Sequence, residues 1–511
     1  MHTLSRRQLL RTGCAAALGL GLGIGRRTSS SAWTTATPGP TPTPVDPRAL
    51  EQLRQDLTGH GQVLLPSDVG FADASAPNNG RYLATRPAAV AVVEDETGVV
   101  TCVNWCRNNN VTPVARGGGH SYGGFSTVDN GLVVNIGKLN SVDVASQPGA
   151  AVVGGAALNE NLFAKTVNGR YFLPGGTCPK VGVGGLVLGG GIGYNTRSYG
   201  LTCDHLTATR IVTADGQVRT ASADENQDLF WACRGGAGGS FGINTSFTFQ
   251  LEQVPIQKVS YYRFDYPAGA AADVFGTFHE ILQVNRPELN AVAWAQSVPN
   301  QDGNSVVSRG QFIGNSNLLK FLVQPLLDLK PQKQELMEYD FWTLWQQKLT
   351  TPVAAPHSYG DISRFAKTAI SSDVIAKLVD LLAKCPSRTE TANGSIYSLG
   401  WVGGSIVNKY ARTDTAYVHR GAMTLLRPTT IWPNNAEGSV AQELNDWTSR
   451  VIAAIGTGPY ESYQNFPNRD IPDWLNAYYA ENLPRLVQIK AAVDPNNLFK
   501  NPQSIPTQLT G

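Results

Sequence analysis

Between residues 85 and 143 the hydrophobic pattern switches repeatedly between two periods. PAAVAVVE (87–94) is a compact Ala/Val run that predicts a buried strand. GVVTCVNWCRNNN (98–110) spaces its apolar residues as a helix does, and VTPVARG (111–117) is a strand running into glycine. GLVVNIGKLNSVDVA (131–145) predicts two short strands around a turn. LTATRIVTADGQVRTAS (206–222) predicts a hairpin closed by Asp215-Gly216, and SFGINTSFTFQL (240–251) predicts a closing strand.

After about residue 255 the texture changes. KVSYYRFDYP, LNAVAWAQSVP, SVVSRGQFIG, GSIYSLGWVGG and TAYVHRGAMTLLRPTTIW carry strand patterns, while AADVFGTFHEILQ and DVIAKLVDLLAKC are helical. The expected fold is therefore α+β, with a second region of antiparallel sheet backed by helices. DWLNAYYAENLPRLVQIKAAVDPNNLF reads as helix up to Asp494-Pro495. The boundaries expected are 1–28 for a signal, 29–59 for a Ser/Thr/Pro-rich linker and N-terminal extension, 60–255 for a first domain, 256–454 for a second, and 455–511 for a segment returning to the first.

Composition narrows the function classes. A chain of 511 residues exceeds one hydrophobic core. A net charge of +2 makes no electrostatic case for nucleic acid or an anionic membrane. Arg6 and Arg7 precede the run CAAALGLGLGIG, as in a twin-arginine export signal, and the run is short for a bilayer span of roughly 20 residues. Arg11 occupies the place where a lipoprotein signal has an aliphatic residue, so Cys14 is not expected to carry a lipid. Export predicts an extracellular or periplasmic protein without a stable membrane anchor. Six cysteines would remain after removal of the signal, an even number that invites three disulfides; if one of the six has another covalent role, five remain and at least one thiol must be free. Cys102 and Cys106 lack a second ligand pair at zinc spacing, and no metal is expected.

Glycine is concentrated in two blocks, RGGGHSYGG (116–124) and VGVGGLVLGGGIGYNTRSYG (181–200). Neither has the G-x-G-x-x-G spacing of a dinucleotide fold or the loop of a phosphate-binding NTPase. Backbone N–H groups in such turns can nonetheless cradle a pyrophosphate, and tight turns in a β-rich domain are the other reading.

RGGGHSYGG, LPGGTCPKVGVGGLVLGGGIGYNTRSYGLTCDHL, DLFWACRGGAGGSFGI and the tail YQNFPNRD…NLPRL…DPNNLF…PQSIP resemble, in order and spacing, the berberine-bridge-enzyme-like FAD-linked oxidases. The resemblance covers nearly all of 75–507 and implies a PCMH-type FAD-binding domain, of the vanillyl-alcohol-oxidase kind, over 60–255, a substrate-binding domain over 256–454 and a C-terminal segment, 455–511, returning to the FAD domain. It implies FAD attached twice, through His120 to the flavin 8α-methyl and through Cys178 to C6. The cofactor-binding residues it implies are Arg116, Gly117, Gly118, Gly119, Ser121, Gly124, Val181, Gly182, Gly185, Gly190, Gly242, Ile243 and Asn465. Val181 matches a gate position that in this family accompanies reaction with dioxygen.

The proton acceptor stays open. Many relatives carry Tyr-x-Asn-Tyr where this chain has Tyr463-Gln464-Asn465-Phe466, so the second phenol is missing. Tyr463, Tyr417, Tyr122 and His419 are the candidates. Trp401, Tyr410 and Tyr417 could stack on substrate or simply pack the sheet. The reaction expected is hydride transfer from a substrate C–H to the flavin, with dioxygen reduced to hydrogen peroxide. The substrate expected is an extracellular sugar or oligosaccharide. The alternatives are a glycosylated or aromatic secondary metabolite, and an envelope flavoprotein that binds ligand without turnover.

Overall fold

The Ala89–Val93 run is buried because it lies inside a four-stranded sheet. It pairs antiparallel with Gly61–Leu64 and parallel with Leu132–Asn135, and Pro113–Arg116 completes the far edge. The computed structural model describes residues 44–144, 149–255, 258–298, 303–350, 357–387, 389–456 and 459–509. The paired arginines Arg6 and Arg7, the apolar run after them and Cys14 lie outside the described residues. Among the described residues no helix is long and apolar enough to cross a membrane.

The helix Glu96–Asn109 starts where the Asp95 carboxylate accepts from Gly98 N at 2.9 Å, and ends at Asn110, whose φ of 54° breaks the helical path. Its Cys102 and Cys106 sit one turn apart on the buried face, and both thiols have pKa values pushed up by burial. The expected disulfides are absent among the described residues: Cys102, Cys106, Cys178, Cys203, Cys233 and Cys385 are all free. Cys102, Cys106, Cys203 and Cys233 are instead small core residues.

A second sheet has the strand order Val142–Val144, Ala150–Gly154, Ile243–Gln250, Leu206–Val212, Val218–Ser222. The last two form the expected hairpin, with Gly216 at φ +78° in its turn.

The third sheet has eight strands. Its order is Lys333–Tyr339, Val259–Pro267, Asn304–Phe312, Leu289–Gln296, Asn393–Leu399, Thr424–Trp432 and Ser358–Asp361, with Arg364–Ala366 also paired to Thr424–Trp432. Alternation gives it two unlike faces. Tyr262, Phe264, Ala291, Ala293, Ile396 and Leu426 face helices Ala271–Gln283, Ser316–Asp328, Ser372–Ala383 and Gly438–Ile455 in one apolar cluster. The opposite face bears Arg263, Arg309, Trp294, Tyr397 and Arg427, and meets the second glycine block: Gln311 Nε2 donates to Tyr194 O at 3.0 Å. The fold is α+β.

Two sequence expectations need correction. The strand expected over TAYVHRGAMTLLRPTTIW begins only at Thr424. Thr415–Arg420 is buried on both sides of the chain, pairs with no strand, and passes Trp231 and Arg234, whose carbonyls accept from Ala416 N and Tyr417 N. The C-terminal helix is broken at Ala480, φ 40°, and restarts at Leu483 with Pro484 in its first turn.

Candidate active site

The strand Pro113–Arg116 delivers the chain directly into the first glycine turn. Gly118 lies so close to the second block that a Cβ there would meet Gly182 N at 2.7 Å and Lys180 O at 2.9 Å. Gly117 faces Ala156, and Gly184 lies against Gly155 O. Three turns therefore converge, the third (Gly154–Ala157) being one that sequence reasoning missed. Its only sequence signal was the pair Gly154-Gly155. Gly119 has φ +70° and its carbonyl accepts from Asn78 N at 3.0 Å. Ser121 Oγ accepts from Phe125 N at 3.0 Å, and Ser121 O from Gly124 N at 3.2 Å, closing the turn after His120.

His120 is half-buried at this meeting point. Burial, with the Arg116 guanidinium beside it, lowers its pKa to about 4, so at neutral pH the imidazole is uncharged and keeps a free lone pair. Arg116 packs against Gly119, and its buried Nη1 has no hydrogen-bond partner among the described residues.

Cys178 is held from behind. Asn159 Nδ2 donates to Cys178 O at 2.9 Å, Asn159 N donates to Val181 O at 3.0 Å, and Leu158 bridges to Gly182. The half-buried thiol is near enough to Tyr122 and Tyr359 to contribute to their raised pKa values, after burial as the main cause. Gly185, exposed on the short helix Val183–Leu188, has no atom within 4 Å of its Cβ position. That side of the helix is open space.

The candidate proton acceptors differ in access. Tyr463 is 1% exposed, and its Oη accepts from Gly191 N at 3.0 Å and Asn465 Nδ2 at 3.1 Å. Asn465 Nδ2 also donates to Leu186 O at 2.8 Å, tying the tail to the second glycine block. Tyr417 is 0% exposed against Gly190 and Gly235, with its hydroxyl unpartnered among the described residues. His419 is fully buried and bonded through both ring nitrogens, to Glu461 at 3.0 Å and Gln464 at 3.1 Å. Burial alone would raise the Glu461 pKa, but His419 and Arg412 outweigh it and hold the carboxylate at about 2.

Tyr122 is half-buried, and its Oη accepts from Arg427 Nη2 at 3.1 Å. The same guanidinium pairs with buried Asp361 and lies 4.2 Å from the Phe466 ring centroid. Tyr122 packs between Tyr359 (4.9 Å) and Phe466 (5.2 Å).

Gly242 and Ile243 lie at the start of the strand Ile243–Gln250, where Gly242 packs against Ile211 and Val212 and Ile243 pairs with Val212. Trp401 packs on Tyr194 at 4.2 Å and Tyr410 on Arg420 at 5.0 Å.

Residues 87–222 match the FAD binding domain family, and 462–506 match the family described as berberine and berberine like. Berberine bridge enzyme-like 12 of Arabidopsis thaliana is 30% identical over 83% of this chain and 85% of its own length. The chain belongs to the berberine-bridge-enzyme-like family. The uncharacterized FAD-linked oxidoreductase YgaK of Bacillus subtilis is 29% identical (87% of this chain, 97% of that protein), and chitooligosaccharide oxidase of Gibberella zeae is 28% identical (87% and 93%). Among solved structures, glucooligosaccharide oxidase from Acremonium strictum superposes with a TM-score of 0.79 at 25% identity, over 90% of this chain and all of that one. That enzyme carries a 6-S-cysteinyl, 8α-N1-histidyl FAD.

This berberine-bridge-enzyme-like protein is an FAD-linked oxidoreductase, and its residues fit the cofactor. The unpartnered Arg116 Nη1, the backbone cradle at Gly118 and Gly182, and the open face at Gly185 together suit an anionic, flat ligand. Sequence reasoning missed Asn79, which is fully buried and holds Tyr122 O and the Tyr359 backbone at 3.0–3.1 Å. It also missed the Arg427–Asp361 pair. The available signal was an arginine inside the otherwise uncharged strand TLLRPTTIW.

Proposed function

We propose that the protein is a carbohydrate oxidase with bicovalent FAD, in which residues 60–255 and 455–511 hold the cofactor and 256–454 hold the substrate. The observation that carries this reading is the contact of Gly118 with Gly182, which brings the turn of neutral His120 against the turn of Cys178. Imidazole nitrogen and thiolate sulfur are the nucleophiles that could join an electron-poor ring at two carbons. The Acremonium enzyme with the same two linkages, and the 28% identical chitooligosaccharide oxidase, support both the linkage and the substrate class.

When bound, FAD would supply the acceptor for the hydride of the substrate C–H and the route of the electron pair to dioxygen, with hydrogen peroxide as product. The protein's part is positioning and proton transfer. The Tyr122 phenolate takes the proton of the reacting hydroxyl and becomes the neutral phenol, and Tyr122 alone among Tyr122, Tyr417 and Tyr463 has an exposed edge. Arg427, donating to Tyr122 Oη, stabilises the phenolate before the transfer, against the burial that raises its pKa. Tyr463 and Tyr417 serve as the wall that braces Gly190 and Gly191. Val181 lines the path of dioxygen. The paired Arg6 and Arg7 direct export through a twin-arginine route, consistent with a cofactor inserted before secretion.

The reading is tested by mixing the holoprotein anaerobically with neutral and acidic mono- and oligosaccharides. Bleaching of the flavin by at least one saccharide, followed by peroxide when air is admitted, is expected. Bleaching by none of them overturns the carbohydrate assignment.

A further inference from the structure

The sheet face turned toward the second glycine block carries two cross-strand rows. Strand register sets Asp265, Val307, Trp294, Tyr397 and Arg427 side by side in one row, and Arg263, Arg309, Val292, Leu399 and Leu425 in the next. Trp294 and Tyr397 form a half-buried platform, with centroids 5.9 Å apart and planes within 21°. Three guanidinium groups surround it. Arg309 lies 5.3 Å and Arg263 6.0 Å from the Trp294 centroid, and Arg427 lies 5.7 Å from that of Tyr397.

The charges on this face do not balance. Arg427 pairs with Asp361, Arg263 with Asp265 at 2.8 Å, and the neighbouring Lys348 with Glu335 at 2.7 Å. Arg309 has no carboxylate partner among the described residues. Its Nε donates to Tyr194 Oη at 2.6 Å and its Nη1 to Lys348 O at 3.3 Å, and both acceptors are neutral. Nη2 is left over. A half-buried guanidinium without a counter-ion is unfavourable, and the folded chain tolerates it here beside a stacking platform. A guanidinium edge also suits a carboxylate, which it can hold with two parallel N–H donors.

We propose that the substrate is an acidic saccharide whose uronic-acid ring stacks on Trp294 and Tyr397 while its carboxylate pairs with Arg309. This assignment rests on the carbohydrate reading above. Arg309 stands three strands across the sheet from Arg427, the donor to Tyr122 Oη, a span of roughly 14 Å at about 4.8 Å per strand. The acidic sugar is therefore the neighbour of the sugar that is oxidised, not the oxidised sugar itself.

The test compares cellobiose with the disaccharide in which its non-reducing glucose is replaced by glucuronic acid, and with cellobiose phosphorylated on that glucose. Oxidation is followed as peroxide. Binding is followed by perturbation of the flavin spectrum with the three methyl glycosides, which lack the free anomeric hydroxyl and cannot be oxidised there. The glucuronosyl disaccharide is expected to have a kcat/KM at least tenfold above that of cellobiose, mainly through KM, with an advantage that shrinks as salt is raised. In Arg309→Gln the ratio of acidic to neutral kcat/KM should fall at least tenfold, and Arg309→Lys should restore part of it. Cellobiose oxidised as well as the acidic disaccharide overturns the inference and leaves the carbohydrate reading standing. Tight binding of the acidic methyl glycoside without oxidation of any saccharide does the reverse. Tighter binding of the phosphorylated glycoside assigns Arg309 to phosphate and overturns the uronic acid, and failure of all three to bind or react overturns both readings.

Discussion

Gly118 and Gly182 touch through their backbones: a methyl group on Gly118 would stand 2.7 Å from Gly182 N, and one on Gly182 would stand 2.9 Å from Gly118 N. Nothing flexible lies between them, so neither position accommodates a side chain. The contact sets how far the His120 turn stands from the Cys178 turn.

Gly118→Ala and Gly182→Ala should each destabilise the protein by about 1–3 kcal/mol, because backbone must move to admit the methyl group. A lowered thermal midpoint, with less flavin retained through purification, is the readout. Gly185→Ala gives the contrast. Its Cβ meets open space inside a short helix, so the apoprotein should gain about 0.5–1 kcal/mol while FAD uptake falls.

The two proposed tethers can be counted. After acid precipitation, flavin colour should stay in the pellet for the wild type, His120→Ala and Cys178→Ala, and leave it for the double variant. Colour released from the wild type would remove the bicovalent proposal. The absorption spectra of the single variants should also differ from each other, since each keeps a different bond.

Asp361 is 5% exposed and is the counter-ion of Arg427. Asp361→Leu strands a buried guanidinium and should cost about 3–5 kcal/mol in denaturant unfolding. Asp361→Leu with Arg427→Met should recover most of that stability but not turnover, because Tyr122 Oη then has no charged donor.

The low pKa of His120 makes a pH prediction for the apoprotein. Its folded value of about 4 lies below the ordinary 6.5, so between these values the unfolded chain binds the extra proton. The stability contributed by His120 is complete above about pH 6.5 and is lost as pH falls toward 4. Thermal midpoints of wild type and His120→Gln should run parallel from pH 7 to 8 and converge in acid. A constant offset down to pH 4 would show that the imidazole is not held neutral.

Tyr417 and Tyr463 are both buried phenols, but their hydroxyls differ. Tyr417→Phe removes an unpartnered hydroxyl and should be neutral or stabilising by about 1 kcal/mol. Tyr463→Phe deprives Gly191 N of its acceptor and should cost about 1–3 kcal/mol. Chemical denaturation of the two variants side by side distinguishes them.

Much of the fold was legible locally. Ala89–Val93, Glu96–Asn109, the Leu206–Ser222 hairpin and Ala271–Gln283 follow their hydrophobic periods, since each buries one face or one run against a single neighbouring layer. Thr415–Arg420 misled because every one of its side chains is buried, which period alone cannot separate from a strand. Ala480 misled because the break comes from backbone geometry at an ordinary helix former.

The sequence by itself determined two glycine blocks, with His120 in the first and Cys178 just before the second, in an order that matches an FAD-binding family. Only the tertiary structure decided that these turns touch, that Tyr122 rather than Tyr463 or Tyr417 keeps an exposed edge, and that Arg427 pairs with Asp361 while Arg309 pairs with no carboxylate among the described residues. The physical reason is that glycine and nucleophile patterns are read along the chain. Exposure and charge balance, in contrast, are set by cross-strand register and by segments distant in sequence.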